Sequence, residues 1–503
     1  MKSAFNSFEL SLYFIMWISI NVYSLYTLFI VQNDLLKNPY LKLSLKDLVP
    51  GWSFLSRDKD VSDVEWSSWK FYIQTSWVYM IFQFLVTELL RKAWPSIIRY
   101  WFILSSLIFV ILYMGLNQML TIITQPIIFS IIMLLGGKRI SIWLTSITLL
   151  LCYNSLKNIY FFWQFLDHGN LQDEEVYLLL FALAWLELRC VSFSIDHVER
   201  VEKLQNKKDE VIVLPSKLET VVNMFSYVLY LPLLYVGPIM LYEDFESSFH
   251  VDNQAKLIPR LKRFVVDMVL FLIYTFLMDL ALHFMYFYAM QENMEAVKRL
   301  SVLALGGGGL WMGFQFHLKY VVSYGTTAAF ARLDNMNPPP TPRYIYRPGY
   351  STVSHCVNLP KMTYKLSASF VTFTFIFMWH GITWNIFVWS VLNYFGILIE
   401  YSAKALSVTD TYKRFKAKIM MSDAMEVRFV AFLCTPLLIL SVISNFYLFA
   451  GSEVGDLFFS EILAGSSYNL SMILIAVYCC CQVSISLQNV SSRTDVIRLT
   501  KAD

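Results

Sequence analysis

Long apolar runs recur from one end of the chain to the other, separated by shorter polar stretches. Several runs reach eighteen or more residues with few charges, which is about the length of an α-helix that crosses a hydrocarbon layer ~30 Å thick. The pattern predicts an all-α, polytopic membrane bundle of about ten transmembrane helices, with re-entrant segments where a run is too interrupted to cross. The expected spans are 10–31, 71–90, 100–118, 119–136, 139–166, 176–195, 219–242, 264–290, 299–330, 366–399 in two segments, 428–450 and 465–487.

One apolar run is too long for a single crossing. From Leu366 to Ile399 the chain has 34 residues without a charged side chain other than His380 when it is protonated. One straight helix of that length would measure ~51 Å, which exceeds the thickness of the hydrocarbon layer. Trp379-His380-Gly381 supplies a break, because glycine permits a turn. We therefore expect His380 at a helix end at membrane depth, where a titratable side chain is a candidate for function.

A histidine in that position suits general-base catalysis. A neutral imidazole in a partly dry site takes up a proton near neutral pH. The alternative is a structural histidine that is hydrogen-bonded to a neighbour or reaches the membrane interface. His283, His317 and His355 are weaker candidates, and His317 is the best of these because it lies in the apolar run Trp311 to Tyr324.

Helix-breaking residues interrupt the span 219–242. Pro232, Gly237 and Pro238 lie within seven residues of an otherwise apolar run. Proline removes a backbone donor, so a helix breaks or bends there. The run predicts a broken or re-entrant helix that lines a cavity, or a kinked span that neighbouring helices pack against.

Three polar side chains also fall in apolar runs. Arg189 and Glu187 lie in the segment 176–195, where an isolated charge costs about 2.5–3.5 kcal/mol on insertion scales. An ion pair, or a contact with an anion such as the phosphate of an acyl carrier, would offset that cost; snorkelling from the helix end is the alternative. Asn445 either donates to a substrate carbonyl or bonds a neighbouring helix.

Two long polar segments interrupt the apolar pattern. Residues 32–70 mix acidic and basic side chains and predict an ordered loop. Residues 334–364 are rich in proline and predict an irregular loop that lies outside the hydrocarbon or is buried in protein. Neither segment marks a domain boundary, so we interpret 1–503 as a single membrane-embedded domain.

The composition agrees with a membrane protein. Hydrophobic residues make up 57% of the chain and charged residues 15%, against about 25% charged in soluble domains, which excludes a water-soluble fold. The formal charge of +3 and the lack of a long basic run predict the lipid bilayer, and no nucleic acid, as a partner. No Cys/His spacing typical of a metal site is present, so no metal is expected. The first span lacks a cleavage site and is expected to be retained.

At these residues the sequence resembles the membrane-bound O-acyltransferases, and within them the Hedgehog acyltransferase branch. The Trp-His-Gly set in an apolar segment is moderately specific for the superfamily, and the full series of motifs in order is strongly specific for the branch. The motifs are Pro50-Gly51-Trp52, Leu188 to Ser194, Gly237-Pro238-Ile239, Asp334 with Pro338 to Arg343, Phe373 to Gly381, and Ser444 to Gly455.

The resemblance implies transfer of palmitate from palmitoyl-CoA to the N-terminal cysteine amine of a Hedgehog-type secreted signalling protein. It implies a multi-pass protein of the endoplasmic reticulum membrane and no tightly bound cofactor besides acyl-CoA as co-substrate. His380 would be the general base, and Trp379, Asn445, Arg189, Gly237 and Pro238 would bind substrate. An α-amino group has a pKa near ~8, so little proton removal exposes its lone pair.

The chain departs from this branch after Arg343. The family continues there with a cysteine and a segment that contains a Trp-(Arg/Lys)-Tyr-Phe-Asp motif, whereas here Arg343 runs directly into Tyr344. The motif's aspartate is therefore missing, and Asp334 does not replace it because it precedes the gap. The cysteine that serves the branch as haem ligand is also missing, so no haem is expected.

This departure leaves several interpretations open. The chain is an acyltransferase, or it is a catalytically inactive regulator that retains the binding site, or the sequence lacks a segment through a skipped exon or an incomplete gene model. Acylation of a lipid or sterol is a further alternative. A transporter would need two halves with matching broken helices, and none is visible in the sequence.

Overall fold

The fold is taken from a computed structural model that describes residues 7–44, 47–156, 160–166, 172–206, 216–249, 255–340, 361–420, 422–464 and 467–499. Contacts divide the chain into two compact units. The first contains Met1–Ser62, Leu282–Phe314 and Thr352–Asp503; the second contains Asp63–Ala281 and Gln315–Ser351. That residues 1–503 form a single membrane domain stays a prediction.

The described residues are mostly helical. In chain order the helices are α1 (Ser7–Leu35), α2 (Pro39–Ser44), α3 (Val64–Ala93), α4 (Ile98–Tyr113), α5 (Leu116–Leu134), α6 (Arg139–Leu156), α7 (Tyr160–Leu166), α8 (Asp173–Asn206), α9 (Lys217–Val228), α10 (Tyr242–Ser247), α11 (Leu257–Ala281), α12 (Phe287–Gln291), α13 (Met294–Val297), α14 (Val302–Leu333), α15 (Lys361–His380), α16 (Trp384–Ser407), α17 (Asp410–Ile419), α18 (Asp423–Ala464) and α19 (Ser467–Leu499). Short 3-10 turns occupy Pro95–Ile97 and Leu231–Leu233. Strands β1 (Leu48–Pro50) and β2 (Asp58–Asp60) pair antiparallel, with Leu48 opposite Asp60.

Within the described ranges, seven helices are long and apolar enough to cross a membrane. They are α1, α4, α5, α8, α11, α16 and α18. The predicted polytopic all-α membrane fold is confirmed, although about ten crossings were expected. The helix α14 was counted among the expected spans, but Gln315, His317 and Lys319 interrupt its apolar sequence.

In the first unit, a run of glycines lets three elements approach α14. A Cβ atom on Gly307 would meet the backbone carbonyl of Ser24 in α1, and one on Gly309 would meet the ring of Phe446 in α18. Gly308 faces the ring of Phe287 in α12 in the same way. The glycines are therefore needed for packing in this unit.

In the second unit, α8 packs against α3, α5 and α6. Ion pairs also join the two ends of α3 to other helices of the unit. Lys319 Nζ of α14 lies 3.0 Å from Asp63 Oδ2 and 2.7 Å from Glu65 Oε2, whereas Glu88, near the other end, lies 2.9 Å from Arg260 of α11. The two clusters are separated by ~37 Å of helix, about the distance between the two polar faces of a bilayer.

Candidate active site

The break predicted within 366–399 is present at the expected residues. Helix α15 ends at His380, and Gly381 has a φ of 113°, a conformation that favours glycine. The amide of Thr383 donates to the carbonyl of Gly381 at 2.9 Å, and α16 begins at Trp384. His380 is therefore the last residue of one helix and precedes a tight turn into the next.

Two indole rings lie beside the His380 imidazole. The centroid of Trp379 is 4.8 Å away with the rings nearly perpendicular, and that of Trp389 is 5.8 Å away at 71°. The side chain of His380 is exposed in the first unit. Trp389 was not predicted from the sequence, because a tryptophan in an apolar helix carries no local signal that its ring contacts the preceding turn.

Asn445 lies on α18, and this helix is bonded to α16. Asn393 Nδ2 of α16 donates to Ser444 Oγ at 3.1 Å, and Asn385 Nδ2 donates to the Tyr447 carbonyl at 3.3 Å. These two amides fix the helix that follows the His380 turn against the helix that carries Asn445. Asn445 itself is partly exposed, so its amide remains accessible beside this contact.

Arg189 is a buried helix-capping residue in the second unit. Its side chain is 1% exposed, and Nη1 donates to the carbonyl of Val228, the last residue of α9, at 3.2 Å. A cation at a helix C-terminus satisfies an orphan carbonyl and the helix dipole. The snorkelling alternative is therefore wrong for this residue.

The second polar side chain of this segment is also buried. Glu187 is fully buried, and neither carboxylate oxygen has a hydrogen-bond partner among the described residues. Glu187 and Arg189 are two positions apart on one helix, so their side chains point in different directions. No ion pair joins them within the part of the chain that the structure describes.

The predicted break in the span 219–242 is also present. Helix α9 ends at Val228, a 3-10 turn follows, and buried, irregular backbone continues past Gly237 and Pro238 to α10. Tyrosine hydroxyls donate to two of its buried backbone carbonyls: Tyr72 Oη to Leu231 at 3.2 Å, and Tyr227 Oη to Met240 at 2.5 Å. Irregular backbone at membrane depth requires such partners.

Asp334 follows α14 and is held on several sides. Tyr230 Oη donates to Oδ2 at 3.0 Å, and Arg91 Nη2 donates to the backbone carbonyl at 2.9 Å. Burial raises the pKa of the Asp334 carboxyl to about 7, and nearby Arg91 offsets only part of this rise. Asp334 thus anchors the end of α14 to the Tyr230 segment in the second unit.

The weaker histidine candidates differ in their surroundings. His283 is fully buried, and its Nε2 accepts a hydrogen bond from the Trp52 amide at 3.0 Å, which explains the Pro50-Gly51-Trp52 motif as a packing feature. His317 is half-buried on α14. His355 and the Arg343–Tyr344 junction lie outside the described residues. Within the described ranges, no group of three His, Cys, Asp or Glu side chains is placed to hold a metal.

The predicted site residues are divided between the two units. Trp379, His380 and Asn445 belong to the first unit, and Arg189 belongs to the second together with the loop 237–238. Helix breaks at His380 and near Gly237, with polar side chains at membrane depth, define a polytopic helical membrane protein with a candidate catalytic histidine.

Comparison with known proteins shows which family the chain resembles. Residues 129–347 match MBOAT, the membrane-bound O-acyltransferase family. The chain is 25% identical to the protein-cysteine N-palmitoyltransferase Rasp of Drosophila melanogaster over 96% of each protein. It is 24% identical to the protein-cysteine N-palmitoyltransferase HHAT of Mus musculus over 62% of this chain and 66% of that protein. The membrane-bound O-acyltransferase GUP1 of Candida tropicalis is 23% identical over 46% and 44%.

These similarities agree with the expected family: residues 129–347 match the membrane-bound O-acyltransferase model, and the chain is similar to protein-cysteine N-palmitoyltransferases. The similarities support an acyltransferase, and the seven candidate spans among the described residues indicate a multi-pass membrane protein. The family match includes Arg189, Gly237 and Pro238 and ends before His380. The similarity to Rasp covers nearly the whole chain.

Proposed function

We propose that this chain transfers a palmitoyl group from palmitoyl-CoA to the N-terminal cysteine amine of a Hedgehog-type secreted protein, in the endoplasmic reticulum membrane. The observation that carries the proposal is the position of His380, at a helix end beside two indoles and with an exposed side chain. The similarity to Rasp and HHAT, both named protein-cysteine N-palmitoyltransferases, supports the choice of donor and acceptor.

One base is sufficient for the proton transfers of the proposed acyl transfer. The neutral amine attacks the thioester carbonyl, a C–N bond forms, the C–S bond breaks, and the CoA sulfur leaves as a thiolate. His380 takes the proton that the nitrogen loses and returns it to the leaving thiolate. Because the amine has a pKa near ~8, a fraction of it is already neutral at pH 7.

Negative charge develops on the thioester carbonyl oxygen in the transition state and needs a hydrogen-bond donor. Such donors stabilise the transition state most strongly in a water-poor site. We assign this role to the Asn445 amide, because the bonds from Asn385 and Asn393 hold α18 against the helix that follows His380. Trp379, which contacts the imidazole, shields part of the base from water.

Arg189 and the loop at Gly237 and Pro238 are the proposed substrate-binding residues of the second unit. Arg189 Nη2 is buried and has no partner among the described residues, which leaves a donor for an anionic group of the donor substrate. The Gly237-Pro238 backbone is irregular, and a Cβ on Gly237 would lie 2.8 Å from Leu233 Cδ2. A larger residue at this position would therefore press on the Leu233 side chain.

A catalytically inactive regulator is the second candidate. The chain lacks the Trp-(Arg/Lys)-Tyr-Phe-Asp segment that its branch carries after Arg343. Asp334 offers no substitute, because Tyr230 and Arg91 already hold it at the end of α14. A chain of this kind would bind acyl-CoA or the acceptor without modifying it.

A transfer assay distinguishes the two candidates. Membranes containing the full chain are given alkyne-labelled palmitoyl-CoA and a peptide with an N-terminal cysteine, and an N-acetylated peptide reports any thiol acylation. We expect labelling of the free amine, a fall of about 100-fold or more in His380→Gln, and little change in His317→Gln, whose histidine also lies on an apolar helix.

The other possible results of the transfer assay contradict the proposal in different ways. Transfer that persists in His380→Gln would exclude His380 as the base. Absence of transfer in the parent chain, with retained peptide binding, would favour the regulator. Sequencing the transcript across Arg343–Tyr344 then shows whether the missing segment is a property of the gene model, in which case the assay is repeated on the longer chain.

A further inference from the structure

A cavity of about 340 Å³ lies in the second unit, where α11 begins and α14 ends. Arg260, Arg263 and Arg332 line it together with Asp267 and Asn335, and we call it the arginine pocket. None of the residues proposed for acyl transfer lines it. Its chemistry therefore needs a separate explanation.

Positive charge exceeds negative charge in the arginine pocket. Asp267 Oδ2 lies 2.9 Å from Arg332 Nη2 and 3.8 Å from Arg263 Nε, so one carboxylate serves two guanidinium groups. Arg260 is paired with Glu88 at 2.9 Å. Among the described residues, three arginines thus face two carboxylates, of which Glu88 also pairs with Arg91. A bound anion would balance the remaining charge with charge-assisted hydrogen bonds.

Asn335 adds a donor that the protein does not use. The residue has a φ of 61° and is 8% exposed, and its Oδ1 accepts a hydrogen bond from the Ala255 amide at 2.9 Å. Its Nδ2 is buried and has no partner among the described residues. A buried amide N–H without a partner is costly, so a ligand oxygen in the pocket would stabilise it.

The pocket lies at the end of a membrane-spanning helix. Helix α11 is one of the seven candidate spans, and Val266, Val269 and Leu272 on its surface are 67%, 52% and 63% exposed. These positions follow a helical spacing and form an apolar stripe that begins beside the arginines. A ligand with an anionic head and apolar chains fits this arrangement better than a soluble anion does.

The charge pattern favours the cytoplasmic leaflet. At the pocket end of the helices α3, α11 and α14, basic residues dominate, including Arg91 and Lys92 at the end of α3. The opposite end of α3 begins with Asp63 and Glu65. Basic helix ends usually face the cytoplasm, where the membrane surface is rich in anionic lipids.

We propose that the arginine pocket binds the phosphate headgroup of an anionic phospholipid of the cytoplasmic leaflet. The guanidinium groups of Arg263 and Arg332 and the Asn335 amide donate to the phosphate oxygens, and the acyl chains lie along the apolar stripe of α11. This lipid site is independent of the proposed acyl transfer, since its occupancy requires neither acyl donor nor acceptor.

Native mass spectrometry of the purified full chain, with phosphatidic acid as the probe, tests the proposal. Arg263→Gln is the informative variant because this side chain is 55% exposed and its ion pair is long, so folding does not depend on it. We expect its affinity to fall about tenfold, the cost of losing one charge-assisted contact. Lys262→Gln is the matched control: it removes the same charge from the same turn but does not line the pocket.

A second variant removes the Nδ2 donor of Asn335. Asn335→Asp keeps the oxygen that accepts from Ala255 and tolerates a positive φ, but it replaces the donor with a negative charge, so we expect a larger loss. Thermal unfolding of each variant checks that the fold is retained. Equal losses in Arg263→Gln and Lys262→Gln, equal binding of phosphatidylcholine, or displacement of phosphatidic acid by equimolar inorganic phosphate or free CoA would each overturn the proposal.

Discussion

The side-chain amide of Asn385 donates to the backbone carbonyl of Tyr447 at 3.3 Å. This bond ties the start of α16, which follows the His380 turn, to the part of α18 that carries Asn445. Neither residue was singled out from the sequence. If His380 and Asn445 act on one substrate, this contact sets the position of their two helices.

Replacing Asn385 by Asp should therefore impair catalysis more than folding. The side chain keeps its shape but loses the N–H, and small displacements of catalytic groups cost up to about 100-fold in rate. We expect kcat to fall at least tenfold while KM for palmitoyl-CoA changes little. Ser402→Ala on the same helix is the control, since that hydroxyl bonds the Leu398 carbonyl of its own helix. An unchanged kcat in Asn385→Asp would exclude the positioning role.

Both helix breaks could be predicted from the sequence, because the residues that cause each break lie within the interrupted apolar run. A run such as 366–399 is too long for one crossing, and Gly381 offers a place to turn. Pro232 and Pro238 likewise forbid a continuous helix. In each case the residues that cause the break lie at the break itself, so the prediction does not depend on contacts with distant residues.

What the sequence could not predict depends on distant partners. Snorkelling was one of the alternatives for Arg189, but the residue is buried because the end of α9 offers it the Val228 carbonyl. Trp389 and Asn385 near the candidate site were missed for the same reason. The role of the glycines at 306–309 depends on Ser24 and Phe446, which are far away in sequence.

The glycines of α14 give a stability prediction. Gly307→Ala would press a methyl group onto the backbone carbonyl of Ser24, which cannot rotate away. Overpacking of this kind costs about 1–3 kcal/mol, and we expect a lower Tm in detergent. Gly313→Ala on the same helix meets nothing within 4 Å and should gain up to about 1 kcal/mol from its higher helix propensity. Equal Tm values for the two variants would contradict the packing described here.

Removing one tyrosine hydroxyl should destabilise the irregular backbone around Gly237. Tyr227→Phe leaves the buried Met240 carbonyl without its donor, at a cost of about 1–3 kcal/mol. Tyr100→Phe, at a position that is 52% exposed, makes the same chemical change and should leave Tm nearly constant. The measurement is thermal unfolding in detergent, and a loss in both variants alike would mean that the hydroxyl bond is not the cause.

Asp334 predicts a pH-dependent stability. Its pKa is about 7 in the folded chain against an ordinary value of 3.8, because burial disfavours the charged form. The folded state therefore holds the proton more tightly than the unfolded state does, and the free energy of unfolding falls as pH rises through this interval. Below the ordinary pKa of 3.8, the carboxyl is protonated in both states. It then contributes no pH dependence to the free energy of unfolding.

Asp334→Asn keeps an oxygen that accepts from Tyr230 but cannot ionise. We expect the Tm of Asp334→Asn minus the Tm of the parent chain to increase from about pH 5 to about pH 8. Asp410→Asn is the control, because that carboxylate is 82% exposed on α17 and its substitution should shift Tm by a constant amount. A pH-independent difference for Asp334→Asn would mean that the carboxyl is ionised in the folded chain throughout this range, with Arg91 compensating fully for its burial.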